Sequence, residues 1–213
     1  MGVNPAAGTR GTRSEHTYVP LLDIPHRYAK HWSGVRRQPM DHADHVNLLR
    51  PGVQGCGGAW ADLGAGSGAF TLALADLLGP SGEIYAIDRD AGALRQNARA
   101  MRRSFPQTLV HHLEADFTRP LSLPLLDGIV MANALHFERE QAALVRRLSD
   151  YLRPGGHLVI VEYNIAQPNR WVPHPVPYTH WEPLARDAGL QHVEMLARRP
   201  SRTFGEIYSA LAC

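Results

Sequence analysis

Three glycines at alternate positions separate two apolar segments of different length. The segment AWADL (59–63) has the length and apolarity of a buried strand, and AFTLALADLLG (69–79) has those of a helix. Gly64, Gly66 and Gly68 lie between the two segments. Glycine permits tight turns and a close approach of a ligand to the backbone, and the first turn of the following helix offers unpaired N–H groups. The sequence therefore predicts a strand, a ligand-binding loop and a helix, which is the repeating unit of α/β folds.

The alternation of strands and helices continues towards the C-terminus. Strands are predicted at 59–63, 83–88, 108–116, 127–133, 157–163, 192–198 and 204–212, and helices at 69–79, 90–104, 139–152 and 181–189. Such alternation is typical of a parallel sheet with helices on both faces. The last two strands are joined by only five residues, which is too short for a parallel crossover, so they should form a hairpin. We therefore expect a Rossmann-like, doubly wound α/β fold with a mostly parallel seven-stranded sheet and one antiparallel strand.

The residues before the first strand form a region of different composition. Residues 1–20 are rich in Gly, Thr, Pro and Arg, which predicts a mobile tail. Residues 21–50 carry apolar and aromatic side chains at loosely helical spacing, which predicts one or two short helices. The turn-rich segment PGVQGCGG (51–58) predicts a linker. N-terminal helices and a linker (21–58) should therefore precede a domain at 59–213.

Composition and charge exclude several classes of protein. The 213 residues are 44% hydrophobic and 20% charged, as in ordinary globular domains. The sequence contains neither an 18-residue apolar run nor a secretory signal, so we expect no membrane partner. Cys56 and Cys213 give no disulfide framework and fit a cytoplasmic protein. The net charge of +2 is too small to indicate nucleic acid. His42 and His45 share a helix face, but further ligands at a recognisable spacing are missing, so no metal is predicted.

The glycine loop by itself is compatible with two kinds of cofactor. Gly64, Gly66 and Ala69 satisfy the G-x-G-x-x-G/A pattern of dinucleotide-binding enzymes. Asp88, twenty residues after Gly68, has the position of a ribose-binding acid in either case. The loop and Asp88 therefore suit either kind of cofactor, and a glycine-rich turn without a ligand is the remaining alternative.

Four motifs in order resemble those of class I S-adenosylmethionine-dependent methyltransferases. Asp62 lies two places before the first glycine in D-x-G-x-G-x-G, and Asp88 ends the second strand in IYAIDRD. EADF (114–117) follows the third strand, and LRPGGHLVIVEY (152–163) resembles the family's turn into strand five. The resemblance covers about residues 45–213. It implies strand order 3-2-1-4-5-7-6 with strand seven reversed, and S-adenosylmethionine as cofactor, leaving as S-adenosylhomocysteine.

The resemblance also implies a role for individual residues. The loop residues that would line the methionine portion of the cofactor are Gly64, Ala65, Gly66 and Gly68. Asp62 would bind the amino group, and Asn133 would meet the same end with its backbone carbonyl. Asp88 would accept hydrogen bonds from both ribose hydroxyls, and Arg89 would pack beside the adenine. Asp116 would accept from the adenine amine, and Phe117 would cover the ring.

The implied function is methyl transfer to an O, N, C or S nucleophile of a small molecule. His136, which follows the fourth strand, is the first choice for a general base, with Glu162 and Tyr163 behind it. The alternative for His136 is a hydrogen-bonded structural histidine. The Pro-rich aromatic segment 169–181 lies where this family often places substrate loops. Residues 21–50 could form a lid over the cofactor or a helix pair on the flank of the sheet.

Three other functions remain open at the level of the sequence. An RNA methyltransferase is compatible with the paired arginines, although an RNA-binding module is not evident. A nicotinamide-dependent oxidoreductase is compatible with the glycine loop, as is a cofactor-binding protein without catalysis. The sequence gives no indication of the oligomeric state.

Overall fold

The computed structural model describes residues 40–53, 55–201 and 203–213. The predicted mobile tail 1–20 and residues 21–39 of the predicted N-terminal helices lie outside the described residues. The helices are α1 (His42–Val53), α2 (Ala69–Leu78), α3 (Ala91–Ser104), α4 (Gln141–Ser149) and α5 (Tyr178–Asp187), with a short 3-10 turn at Leu135–Phe137. The strands are β1 (Ala59–Leu63), β2 (Glu83–Asp88), β3 (Leu109–Glu114), β4 (Leu126–Ala132), β5 (Leu152–Tyr163), β6 (Val193–Pro200) and β7 (Glu206–Ala212).

The seven strands form one sheet in the order β3-β2-β1-β4-β5-β7-β6. The neighbours from β3 to β5 pair in parallel, whereas β7 is antiparallel to both β5 and β6. Both the predicted fold class and the implied strand order are therefore confirmed. The order of the sheet reverses between β1 and β4, and in open α/β sheets ligands bind at such a reversal.

Apolar layers cover both faces of the sheet. Helices α4 and α5 contribute Leu144, Leu148 and Trp181 to one layer, and α1 and α2 contribute Leu49 and Leu74 to the other. The central strand β1 is buried along its whole length, as expected of a parallel strand that is covered on both sides.

One close contact in the centre of the sheet requires a glycine. A β-carbon on Gly128 of β4 would lie 2.3 Å from Cζ3 of Trp60 in the neighbouring strand β1. The fully buried indole ring therefore lies directly against the backbone of β4. This packing joins the two strands at which the sheet order reverses.

Helix α1 ends later than the predicted boundary between helix and linker. The helix continues through Pro51 and Gly52 to Val53, whereas the linker was expected to begin at residue 51. The extension is stabilised by tertiary packing, because Val53 is fully buried and Gly52 lies against Val159. Helix α1 packs on α2 and on β5, β6 and β7. The choice between lid and flank for the predicted segment 21–50 stays open, because residues 21–39 lie outside the described residues.

The predicted boundaries around β5 and at the start of α5 also differ from the observed ones. Strand β5 begins at Leu152, before the Pro-Gly-Gly turn that was expected to precede it, because Leu152 pairs with Leu126 of β4. The predicted helix 139–152 accordingly ends at Ser149. Helix α5 begins at Tyr178 rather than at residue 181, directly after Pro177, whose φ of −62° suits the start of a helix.

Candidate active site

The predicted site residues meet at the carboxyl edge of the parallel strands. The glycine loop follows β1 and is fastened to β2, since the backbone N–H groups of Gly64 and Ala65 both donate to the carbonyl of Ile87, at 2.9 and 3.0 Å. Asp88 ends β2, and its carbonyl accepts from Ala115 after β3 at 3.0 Å. The residues that follow β1, β2 and β3 are thereby connected along one edge of the sheet.

The glycine loop adopts conformations that few other residues tolerate. The φ angles of Gly64, Gly66 and Gly68 are 76°, 50° and 105°. A β-carbon on Gly64 would lie 2.8 Å from Cβ of Ala134 and 3.5 Å from Cε1 of Phe117. Because the loop closely approaches the segments after β3 and β4, it forms a narrow backbone cradle.

Asp62 lies beneath this cradle with its carboxyl group buried. Its Oδ2 accepts a hydrogen bond of 2.6 Å from the hydroxyl of Thr71, and the described residues donate none to Oδ1. Burial raises the pKa of Asp62 to about 7; the Thr71 hydrogen bond opposes this rise, and the charge of Asp88 adds to it. One carboxyl oxygen of Asp62 is therefore held by the protein, while the other remains available to a donor.

Asp88 is positioned by backbone N–H groups. Its Oδ2 accepts from Gly66 and its Oδ1 from Asp90, each at 2.8 Å. Asp90 in turn caps α3, since its Oδ1 accepts from the N–H groups of Gly92 and Ala93. The carboxylate of Asp88 is thus fixed beside the middle of the glycine loop.

Asp116 and Phe117 occupy the loop after β3. Asp116 Oδ1 accepts from the backbone N–H and the hydroxyl of Thr118, at 2.9 and 2.7 Å. Desolvation raises the pKa of Asp116, but the Thr118 hydrogen bonds and the charges of Arg89 and Arg119 outweigh it, so the net pKa is lowered. Asp116 is therefore an anionic acceptor, and Phe117 brings an apolar ring to the glycine loop.

Asn133 follows β4 in a left-handed conformation, with φ of 50°. Its N–H donates to the carbonyl of Val161 at 2.7 Å. The side-chain Oδ1 is buried and has no hydrogen-bond partner among the described residues. A buried acceptor without a donor is costly, and so this oxygen is suited to an N–H group of a ligand.

His136 lies in the turn after β4 and is almost completely buried. Its Nδ1 is 2.6 Å from Oε2 of Glu162, and Oε1 of Glu162 accepts from the N–H groups of Leu135 and His136, at 3.0 and 3.3 Å. Among the described residues, none forms a hydrogen bond with Nε2 of His136. Glu162 therefore fixes the imidazole and leaves Nε2 as the nitrogen that could accept a proton.

The segment after β5 is attached to the His136 turn. The N–H of His174 donates to the carbonyl of His136 at 3.0 Å, and Nε2 of Gln141 donates to the carbonyl of His174 at 2.8 Å. The ring of His136 is 4.3 Å from that of Phe137 and 6.3 Å from that of Tyr163, measured between centroids. The imidazole thus lies among aromatic rings beside the segment 169–181, which the sequence analysis gave as a candidate substrate loop.

Three polar residues of this region were missed by the sequence analysis: Thr71, Asn97 and Gln141. Thr71 and Asn97 are fully buried. The spacing of Asn97 could have revealed its role, because Asn97 belongs to the buried stripe Leu94–Asn97–Met101 of α3. A polar side chain in such an apolar stripe requires a buried hydrogen-bond partner. Thr71 similarly interrupts the apolar helix α2.

The described residues contain neither a cluster of metal ligands nor a membrane-spanning helix. No group of three or more His, Cys, Asp or Glu side chains in 40–53, 55–201 and 203–213 could hold a metal ion. Within the same part of the chain, no helix is long and apolar enough to cross a membrane.

Comparison with known proteins finds similarity to methyltransferases. A family model described as a methyltransferase domain matches residues 61–158. The ubiquinone/menaquinone biosynthesis C-methyltransferase of Pasteurella multocida is 28% identical over 105 residues, 48% of this chain and 39% of that protein. The 2-phytyl-1,4-naphtoquinone methyltransferase of Nostoc punctiforme is 27% identical over 107 residues, 48% of this chain and 45% of that protein. The chain thus spans less than half the length of these two relatives.

The fold is also that of a solved methyltransferase. The structure of a SAM-dependent methyltransferase from Aquifex aeolicus superposes with a TM-score of 0.58 at 18% identity, covering 82% of this chain and 98% of that one. The sheet order, the glycine loop and the family match over residues 61–158 all support a class I S-adenosylmethionine-dependent methyltransferase.

Proposed function

We propose that this protein transfers the methyl group of S-adenosylmethionine to a nucleophilic atom of a small molecule, with His136 as the general base. The observation that carries the proposal is a pair of oxygens beside the glycine cradle, Oδ1 of Asp62 and the buried Oδ1 of Asn133, to which the described residues donate no hydrogen bond. A ligand with an ammonium group at this place would supply the missing donors. S-adenosylmethionine has such a group, and it supplies an activated methyl group bound to a sulfonium.

The remaining cradle residues suit the rest of that cofactor. The carboxylate of Asp88, held by Gly66 and Asp90, would accept from ribose hydroxyls. Asp116 would accept from the exocyclic amine of the adenine, and Phe117 would cover the ring next to Gly64. Arg89 is exposed and contributes its positive charge near Asp116.

His136 would remove a proton from the acceptor. With Nδ1–H donating to Glu162, the neutral imidazole presents Nε2 as the base, and the carboxylate would stabilise the imidazolium that forms. The short, buried contact prevents the ring from turning away from this orientation. The acceptor atom that suits such a base carries a removable proton, as a hydroxyl does.

The surroundings of His136 suit a small acceptor with a flat ring. Phe137 is 40% exposed beside the imidazole, and the centroid of the Tyr163 ring lies 6.3 Å from that of the imidazole. Burial raises the pKa of Tyr163 to about 12, so this phenol stays protonated and does not compete as a base. The quinone names of the two relatives support a small-molecule acceptor as well.

Ligand titration and turnover test the proposal. Calorimetry should detect S-adenosylmethionine and S-adenosylhomocysteine but not NAD, and release of S-adenosylhomocysteine should be observed with a member of a hydroquinone and phenol panel. Tight NAD binding without a signal from S-adenosylmethionine would refute the assignment.

A second experiment tests the role of His136. The His136→Gln variant should lower kcat by about a hundredfold or more while the affinity for S-adenosylhomocysteine changes little, since general-base catalysis typically contributes 10²–10⁴-fold. His192→Gln, at an exposed position before β6, is the matched control. An unchanged kcat in His136→Gln would leave the histidine a structural role only.

A further inference from the structure

A chain of buried hydrogen bonds connects α3 to Asp62. Nδ2 of Asn97 donates to Oγ1 of Thr71 at 2.8 Å, and the Thr71 hydroxyl donates to Oδ2 of Asp62 at 2.6 Å. On its other side, Oδ1 of Asn97 lies 3.2 Å from Nε2 of His112 in β3. Asp62, Thr71 and Asn97 are each no more than 1% exposed. The contacts thus connect four elements beneath the cofactor cradle.

In this series of hydrogen bonds, Asn97 and Thr71 both donate in the direction of the Asp62 carboxyl group. A threonine hydroxyl has a single hydrogen, and because the Asn97 amide donates to its oxygen, that hydrogen is directed to Asp62. The Asn97 amide is oriented in turn if His112 donates from Nε2 to Oδ1. Burial, with the charges of Arg102 and His111, lowers the pKa of His112, which favours the neutral ring, and the tautomer with its proton on Nε2 makes this bond.

Asn97 also supports the glycine loop sterically. A β-carbon on Gly68 would lie 3.0 Å from Cγ of Asn97, so the amide lies directly against the backbone that opens α2. The same side chain therefore touches the loop and directs the hydroxyl that holds Asp62.

We propose that Asn97, acting through Thr71, is a positioning residue that holds one oxygen of Asp62 and leaves the other available for the ammonium group of the cofactor. This inference rests on the proposed function, because it assigns to Asp62 an ammonium ligand. Neither Asn97 nor Thr71 touches the cofactor in this scheme. Their effect is on the orientation of the Asp62 carboxyl and on its readiness to ionise, since the Thr71 hydrogen bond opposes the effect of burial and of Asp88.

Two nearly isosteric variants test the chain of bonds. Thr71→Val removes the donor to Asp62, and Asn97→Asp removes the donor to Thr71 so that the hydroxyl can turn away. Each should weaken binding of S-adenosylhomocysteine roughly tenfold at neutral pH, the usual effect of losing a hydrogen bond to a charged group. Thr71→Ser restores the hydroxyl and should recover most of that loss. Thr108→Val, before β3 and outside the chain of bonds, is the matched control.

The pH dependence separates positioning from a general loss of structure. Affinity should fall as Asp62 becomes protonated, and in Thr71→Val this fall should move to higher pH, because the bond that favours ionisation is gone. The ¹³C carboxyl resonance of Asp62, assigned with Asp62→Asn, should titrate at higher pH in ligand-free Thr71→Val than in the unmodified protein.

Different results would overturn the positioning role of Asn97 and the proposed methyl transfer. Wild-type affinity in both variants at every pH, with an unchanged Asp62 titration, would overturn the positioning role of Asn97. If the unmodified protein binds neither S-adenosylmethionine nor S-adenosylhomocysteine, the proposed function fails. The titration in the free protein would then still show whether Thr71 holds Asp62.

Discussion

Replacing Asp62 with Asn should stabilise the folded protein at neutral pH. The carboxyl group is buried, and its pKa rises from 3.8 to about 7 on folding. Between these two values the folded chain holds a proton that the unfolded chain has lost, so stability falls as the pH rises. One pKa unit corresponds to 1.36 kcal/mol, so the rise corresponds to about 4 kcal/mol by the time the pH exceeds 7. Asparagine carries no charge, and its side-chain oxygen can still accept from Thr71.

Urea unfolding at several pH values measures this effect. The free energy of unfolding of Asp62→Asn minus that of the unmodified protein should be small near pH 4 and should grow to about 2–4 kcal/mol above pH 7. Asp187→Asn, at the exposed end of α5, makes the same chemical change on the surface and is the matched control. A difference for Asp62→Asn that is the same at acid and neutral pH would refute the argument. The variant should also bind S-adenosylhomocysteine more weakly, so stability and binding change in opposite directions.

Two further substitutions test the sheet and the cradle. Gly128→Ala should lower the free energy of unfolding by about 1–3 kcal/mol, because the new methyl group meets the Trp60 ring; Gly57→Ala, where a β-carbon has open space, should change it by less than about 0.5 kcal/mol. Equal stability of the two variants in urea would contradict the packing argument. Asp88→Ala removes the partner of Gly66 and the proposed ribose acceptor, so calorimetry should show roughly ten- to a hundredfold weaker S-adenosylhomocysteine binding. Unchanged affinity would place Asp88 outside the site.

The predicted elements agree best with the observed ones where neighbouring residues in the sequence determine them. Strands 59–63 and 83–88 were predicted to the residue, because buried parallel strands are short apolar runs bounded by turns. The reversed β7 followed from a linker too short for a crossover. The site predicted at the carboxyl edge depended on the glycine loop and on acids at strand ends, and those positions follow from strand boundaries alone.

The boundaries that failed were those set by tertiary contacts. Pro51 and Gly52 are usually helix-ending residues, yet α1 continues to Val53 because that side chain gains complete burial against the sheet. The early start of β5 at Leu152 likewise depends on a pairing with β4 that local propensity does not encode.

The sequence by itself predicted the fold and placed acids at the ends of strands, because strand and helix lengths and their boundaries are local patterns. Its motifs also resembled those of class I S-adenosylmethionine-dependent methyltransferases. Only the tertiary structure decided that Thr71 and Asn97 hold Asp62 and that Glu162 fixes His136. Asn97 lies 35 residues after Asp62 and Glu162 lies 26 residues after His136, on different elements in each case. A buried polar side chain must find a partner, but which residue becomes that partner depends on how the helices pack against the sheet.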